Sequence, residues 1–241
     1  MARHISRKEL KTNVLAEGLT HGAEAVAAHQ RLTWILAGSA LAVLLAVFGW
    51  RYYGQRQTAG ASVDLEAAMK VYDARIRAAG EAAAPDETTY VDEKNKFADA
   101  AKRFSEVASR YPRTQPGRVA RYYSGLSLAQ LEKSDEAEKE LKAVEASGDA
   151  TLAPLAQFQL AQLYEKTNRA DQALKIYQQL ADKRAEFVPR AVVLLKMADY
   201  HSKSNPQEAA KLYNQVKSEF PDTPAAQAAD QGLQLLPPAK S

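Results

Sequence analysis

AQLYEKTNRADQALKIYQQLADK, residues Ala161–Lys183, decides the fold. Its apolar positions fall at helical spacing in two runs, one through Ala161 and Tyr164, the other through Ala173, Tyr177 and Leu180. A short polar link, Thr167–Asp171, separates them, so the stretch reads as a pair of amphipathic helices. Steps of 36 residues in either direction find the same pattern. Gly125, Ala161 and Met197 form one column, and Leu128, Tyr164 and Tyr200 a second. Ala137, Ala173 and Ala209 follow, then Leu141, Tyr177 and Tyr213, then Val144, Leu180 and Val216. Five columns at one constant period identify stacked helical hairpins.

The columns have direct physical meaning. An Ala column belongs where two helices cross, because a larger side chain would push them apart. An aromatic or Leu column wedges between neighbouring hairpins. One hairpin cannot bury its apolar face alone, so stacking supplies the core. The corresponding links in the outer units are Lys133–Asp135 and Ser202–Pro206. Pro154, Pro189 and Pro224 open the next first helices, where a missing N–H costs nothing, and Thr223 is placed to cap the last of them. Half a unit precedes the repeats (Ala100, Phe104, Val107, Pro112), and half a unit, Pro224 to Leu236, follows and ends the stack.

Upstream lies LTWILAGSALAVLLAVFGW, Leu32–Trp50, without one charged residue. As a helix it reaches about 28 Å, close to the ~30 Å hydrocarbon core of a bilayer. Nine of its residues are Leu, Ile, Val or Phe and favour insertion by about 3–5 kcal/mol. Trp34 sits near one end and Trp50, Tyr52 and Tyr53 at the other, where headgroups favour amphipathic rings. A cleaved signal peptide is the rival reading, with Ala59-Gly60-Ala61 as its cleavage motif. The run is too long for that, and too many residues precede it.

The chain is therefore expected to be all-α: a polar tail (1–31), a single transmembrane helix (32–50), a juxtamembrane helix and loop (51–87), a repeat domain (88–236) and a short tail (237–241). Ser6 and Glu9 fit a capping box in the first segment. In the third, Leu65, Met69, Tyr72 and Ile76 form one helical stripe, and Gly80–Glu87 reads as a loop. Gly38, Ala42 and Ala46 make a small-residue stripe that would let membrane helices approach closely and form a homo-oligomer; Ala-rich composition produces such stripes as well. Orientation is contested. The whole amino-terminal tail holds five Lys/Arg against three in the 20 residues after the anchor, which places it in the cytoplasm, whereas a 20-residue window on each side counts one against three. The whole-tail count is preferred, because a long domain translocates largely regardless of charge.

The repeat resembles the tetratricopeptide repeat, whose landmarks are clearest in Ala161, Tyr164, Ala173 and Tyr177 and in Ala209, Tyr213 and Pro221. Its period of 36 rather than 34, and Lys196 and Met197 where Leu and a small residue are usual, are departures. FSEVASRYPRTQPGRVA (Phe104–Ala120) and YNQVKSEFPDTPAAQAA (Tyr213–Ala229) share a form found in bacterial envelope repeat proteins such as outer-membrane assembly lipoproteins and the Tol-Pal-associated cell division coordinator. The order of tail, anchor and repeats is similar to the ancillary SecYEG translocon subunit family (YfgM-like). That resemblance implies the bacterial inner membrane, a cytoplasmic amino terminus, and a periplasmic repeat domain assisting secretion and chaperone traffic. A structural assembly factor for cell division, cell wall or outer-membrane biogenesis, or a cytoplasm-facing adaptor, are the alternatives.

The inventory argues against catalysis. Residues 51–241 contain one histidine, His201, and the chain has no cysteine or phosphate-cradling Gly-rich loop, so no enzyme, cofactor or metal is expected. Residues 51–241 carry 27 basic and 26 acidic side chains, which is no footprint for nucleic acid. The expected partners are lipid, through the anchor, and proteins: peptide or client segments, SecYEG or periplasmic chaperones. The candidate groove lies on the first helices. Tyr122, Phe158 and Leu194 stand three residues before the small column; Leu126, Gln162 and Ala198 stand one after; Ala129, Glu165 and His201 stand four after. That row either lines an open groove for a peptide or is packed over by the terminal helix.

Overall fold

The computed structural model describes residues 30–78, 81, 87–183 and 187–237. The helix expected over residues 1–31 lies outside them apart from its last two residues, as does most of the Gly80–Glu87 loop. Nine helices run in chain order among the described residues: α1 (Gln30–Tyr72), α2 (Glu93–Arg110), α3 (Gln115–Gln130), α4 (Ser134–Glu145), α5 (Leu152–Lys166), α6 (Ala170–Lys183), α7 (Arg190–Ser204), α8 (Pro206–Glu219) and α9 (Pro224–Leu235). Two two-residue strands, β1 (Arg75–Ile76) and β2 (Thr89–Tyr90), pair in parallel between α1 and α2. Ile76 therefore lies in a strand and not on the helical stripe expected for it. An Arg75 guanidinium that bonds both Glu81 and Glu87 accompanies the pairing.

The chain divides into two compact units, residues 1–56 and 57–241. In the first, the side chains described from Trp34 to Tyr53 are exposed, including Trp34 at 71%, Phe48 at 71% and Trp50 at 78%. The Arg56 guanidinium sits 4.8 Å over the Tyr52 ring.

The second unit is the helical stack. Residues 57–72 pack against α2: Ala68 and Val71 are buried with Phe104, Val107 and Ala108, and Tyr72 meets the Phe104 ring edge-on at 5.9 Å. Asp64 ties the pair, accepting from Arg110 at 2.8 Å and from the Tyr111 hydroxyl at 3.0 Å. The half unit read from sequence is thus completed by the end of α1, and a boundary at 87/88 falls inside its packing. The pairs α3/α4, α5/α6 and α7/α8 follow, and α9 packs on α8 and α7.

The columns are the core. Ala137, Ala173 and Ala209 are buried, as are Leu141, Tyr177 and Tyr213 and then Val144, Leu180 and Val216. A Cβ on Gly125 would lie 2.9 Å from the Leu141 side chain, so the small position is where α3 meets α4. In the departing third unit, Met197 is only partly buried against the core.

One local device recurs at the two aromatic-Pro turns. The Thr114 hydroxyl donates to the Tyr111 carbonyl at 3.0 Å and accepts from Gly117 N–H at 3.1 Å, capping α3. Thr223 does the same with Phe220 at 2.7 Å and Ala226 N–H at 3.3 Å, capping α9. A second device links first to second helix. Glu132 and Asn168, 36 apart, take positive φ of 60° and 58°. Each lets the next N–H reach back, Lys133 to Leu128 at 3.0 Å and Arg169 to Tyr164 at 2.8 Å. The third hairpin uses a tighter link, with Asn205 alone between α7 and α8.

Candidate functional site

The first helices α3, α5 and α7 carry the row expected to form the groove, and the structure divides it. Tyr122 is buried among Leu141, Val144, Ala156 and Leu160. Leu194 is buried too, with Val193, Ala198 and Tyr213 in its cluster. These two are core residues and present no surface to a partner. The reason is geometric: a residue three before the small column shares that column's helix face, and that face is turned to the second helix. Burial pushes the Tyr122 hydroxyl up to about 12, helped by the neighbouring Tyr123. Phe158 is partly buried, its ring 6.0 Å from that of Tyr177.

Residues at the later offsets reach the surface in part, except Ala198, which is fully buried. Leu126 and Ala129 of α3 meet Gln159 and Gln162 of α5 in a small open cleft of about 70 Å³. Glu165 of α5 pairs with Lys196 of α7 at 3.1 Å, across neighbouring first helices. His201 lies at the end of α7 against the Tyr200 ring, 5.0 Å away, outside the Leu126–Gln162 cleft. α9 packs on α8 and α7 and does not line that cleft.

Polar ties between hairpins carry no sequence signature. Glu138 of α4 accepts from the Tyr164 hydroxyl at 2.9 Å and from Arg169 at 2.7 Å, and pairs with Lys142 at 2.6 Å. Arg169 in turn stacks 4.4 Å over the Tyr164 ring. Burial alone would raise the Glu138 carboxyl, but the bonds from Lys142, Arg169 and Tyr164 outweigh it and hold the group at about 2. In the sequence Glu138 is one more charge on a solvated face; only the chain path brings Arg169 to it. At the far end Tyr213 donates to Asp199 at 2.6 Å, on the wall of an open cleft of about 750 Å³ that Gly232, Leu235 and Leu236 also line.

Among the described residues, no group of three or more His, Cys, Asp or Glu is placed to hold a metal ion. The surfaces on offer are shallow clefts between helices, with mixed apolar and charged walls, suited to protein contact.

Comparison with known proteins agrees with the hairpin architecture. A tetratricopeptide repeat-like domain model matches residues 28–191, and a tetratricopeptide repeat model matches residues 192–223. No curated protein matches in sequence. Among solved structures, the nearly identical TPR-like repeats of a Podosopora anserina chain described as a kinesin light chain align at 16% identity and a TM-score of 0.49, covering 58% of this chain and 78% of that one. A point variant of the same repeats aligns with the same identity and score, covering 58% of this chain and 77% of that one. With its hairpins matched from residue 28 to residue 223, the chain belongs to the tetratricopeptide repeat-like domain family, whose repeats are protein-interaction scaffolds.

Proposed function

We propose that the chain is a single-pass, membrane-anchored scaffold whose repeat domain faces the bacterial cell envelope and binds proteins there, assisting Sec-dependent secretion or periplasmic chaperone traffic. The observation that carries this reading is the uncharged, uncovered stretch of α1. Trp34–Tyr72 is, among the described residues, the one helix long and apolar enough to cross a membrane, and none of its most apolar window is buried. An apolar surface of that extent needs a solvent other than water. The flanking rings of Trp34, Trp50, Tyr52 and Tyr53 fit the two headgroup layers. The repeat-like family model also begins at residue 28, so it takes in this helix together with the hairpins.

The partner surface in this reading is the half-buried part of the first-helix row: Leu126, Gln162 and His201, with Phe158 at its edge. A carboxy-terminal reporter that works only outside the cytoplasm tests the orientation. Signal from a fusion after Ser241 is expected. A stable, membrane-bound fusion without signal would make the protein a cytoplasm-facing adaptor and overturn the envelope assignment.

One observation favours a second role beside the first. Gly38, Ala42 and Ala46 are all exposed, and nothing lies within 4 Å of where a Gly38 Cβ would stand. Self-association through this stripe would make the protein an assembly factor for envelope machinery. Gly38→Leu should then disrupt the oligomer in detergent or lipid, and a wild-type monomer would rule the role out.

A further inference from the structure

We infer that a cleft on the opposite, second-helix side of the stack binds an acidic, partly apolar protein segment. The cleft holds about 450 Å³ between α2 and α4, with α3 as its floor. Its apolar lining is Ala98 and Ala101 of α2 with Leu128 of α3 and Leu131 at that helix's end. Lys94 and Lys102 stand on one wall, Lys133 and Lys139 on the other, with Glu136 and Glu140 between them. The two carboxylates already have partners: Glu136 pairs with Lys133 at 3.1 Å, and Glu140 with Arg121 at 3.5 Å. Asp99, which feels Lys102, is bonded to the Tyr90 hydroxyl and to Arg103. The net field over the floor is therefore positive, and its complement is a segment bearing carboxylates.

The repeat itself shows that this cleft is a departure. Ser124 lies at its base, 1% exposed, and its hydroxyl has no hydrogen-bond partner. Its neighbour Ser127 avoids that cost by donating to the Tyr123 carbonyl at 2.8 Å. One period on, the place of Ser124 is taken by Leu160, buried at 1%. A Ser in a Leu position puts a smaller side chain at the base of the cleft, with its hydroxyl buried and unpartnered, at a net cost to the fold. The recessed apolar floor between two basic walls favours a peptide over a flat lipid surface.

The inference is independent of membrane orientation, and its test uses the full chain in detergent micelles. The probe is a fluorescein-labelled peptide in which pairs of Glu alternate with Leu, with a Lys-for-Glu peptide as control. Saturable, salt-sensitive binding of the acidic peptide alone is expected, weakened roughly tenfold by Lys94→Glu, Lys102→Glu and Lys139→Glu together. Reversal of Lys175, Lys183 and Lys211 should leave it unchanged. The cleft's triple variant changes exposed side chains alone, so an unchanged Tm beside the weakened binding separates binding from folding. A photo-crosslinker at the exposed Ser105 should label the peptide. Absent binding, binding indifferent to the three reversals, or a crosslink that fails at Ser105 would each overturn the inference. So would capture by anionic phosphatidylglycerol vesicles in place of the peptide, lost in the triple variant, since the basic face would then be a lipid contact.

Discussion

At Gly117 the absence of a side chain decides whether α3 can start. A Cβ there would lie 1.9 Å from the Tyr111 carbonyl oxygen, which is backbone and already accepts from Thr114. Gly117→Ala must move the aromatic-Pro turn or break the cap. We expect a loss of about 3 kcal/mol or more, read as a lowered denaturation midpoint at unchanged m-value. Glu132 presents the opposite case, a non-glycine residue held at φ 60° and exposed to solvent. Glu132→Gly should stabilise by about 0.5–1 kcal/mol, because relief of backbone strain exceeds the added entropy of the unfolded chain. At Glu138 the pH dependence has a fixed sign. Its folded carboxyl titrates at about 2 against an ordinary 4.5, so its contribution is complete above 4.5 and disappears as pH falls toward 2. Glu138→Gln should therefore cost about 1 kcal/mol at neutral pH, after allowance for solvent screening, and nothing near pH 2. Urea titrations of both proteins across that range would show the two stability curves converge; parallel curves would assign the stabilisation elsewhere.

At the level of the element, the two Thr caps offer a matched comparison, because the same hydrogen bonds serve helices with different neighbours. Thr114 caps α3, packed by α2 and α4, while Thr223 caps α9, packed from one side by α8 and α7. Either Thr→Ala change should cost about 1 kcal/mol, with Ser restoring most of it. The distribution should differ. Thr114→Ala lowers the whole transition, and Thr223→Ala speeds amide exchange in α9 with little effect on α4 and α5. The second-helix elements were legible from sequence because burial there follows a constant period: the Ala, aromatic and Val/Leu columns are the buried positions themselves. The first-helix surface was not. Spacing placed Tyr122, Phe158 and Leu194 on a common face, but only the hairpin geometry shows that the face turns inward. Nor was the start of the stack legible. Ala68 and Val71 are too small and too near the uncharged apolar stretch to announce a repeat helix, and Val71 falls off the Leu65–Met69–Tyr72 stripe. The β1/β2 pair is two residues long on each strand, below any period that a sequence can display. The basic cleft was equally hidden, since Lys133 and Lys139 read as one interleaved charged face until α2 brings Lys94 and Lys102 opposite.

For the molecule as a whole, α1 poses the organising question, because one continuous helix contributes to both compact units. From Leu32 to Trp50 it is uncharged, and its described side chains from Trp34 on are exposed; from Ala61 it buries Ala61, Ala68 and Val71. If these are separable roles, two truncations that differ only within α1 must behave differently. A chain of residues 57–241 keeps Asp64 on Arg110 and Tyr111, keeps Tyr72 against Phe104, and loses the apolar span. It should be monomeric without lipid, stay out of the membrane fraction, and melt in one cooperative transition. A chain of residues 73–241 removes the first helix of the first hairpin as well, uncovering Phe104, Val107 and Ala108 on α2. Burying a large apolar side chain contributes about 1.5–3 kcal/mol, so loss of that cover should unfold α2 and lower helicity by more than the deleted residues account for. Circular dichroism and membrane fractionation of the two chains measure both quantities. If the shorter chain were as stable as the longer, α1 would be an anchor only and the stack would begin at α2. If the longer chain stayed with the membrane, a second surface on the repeats would have to be holding it there.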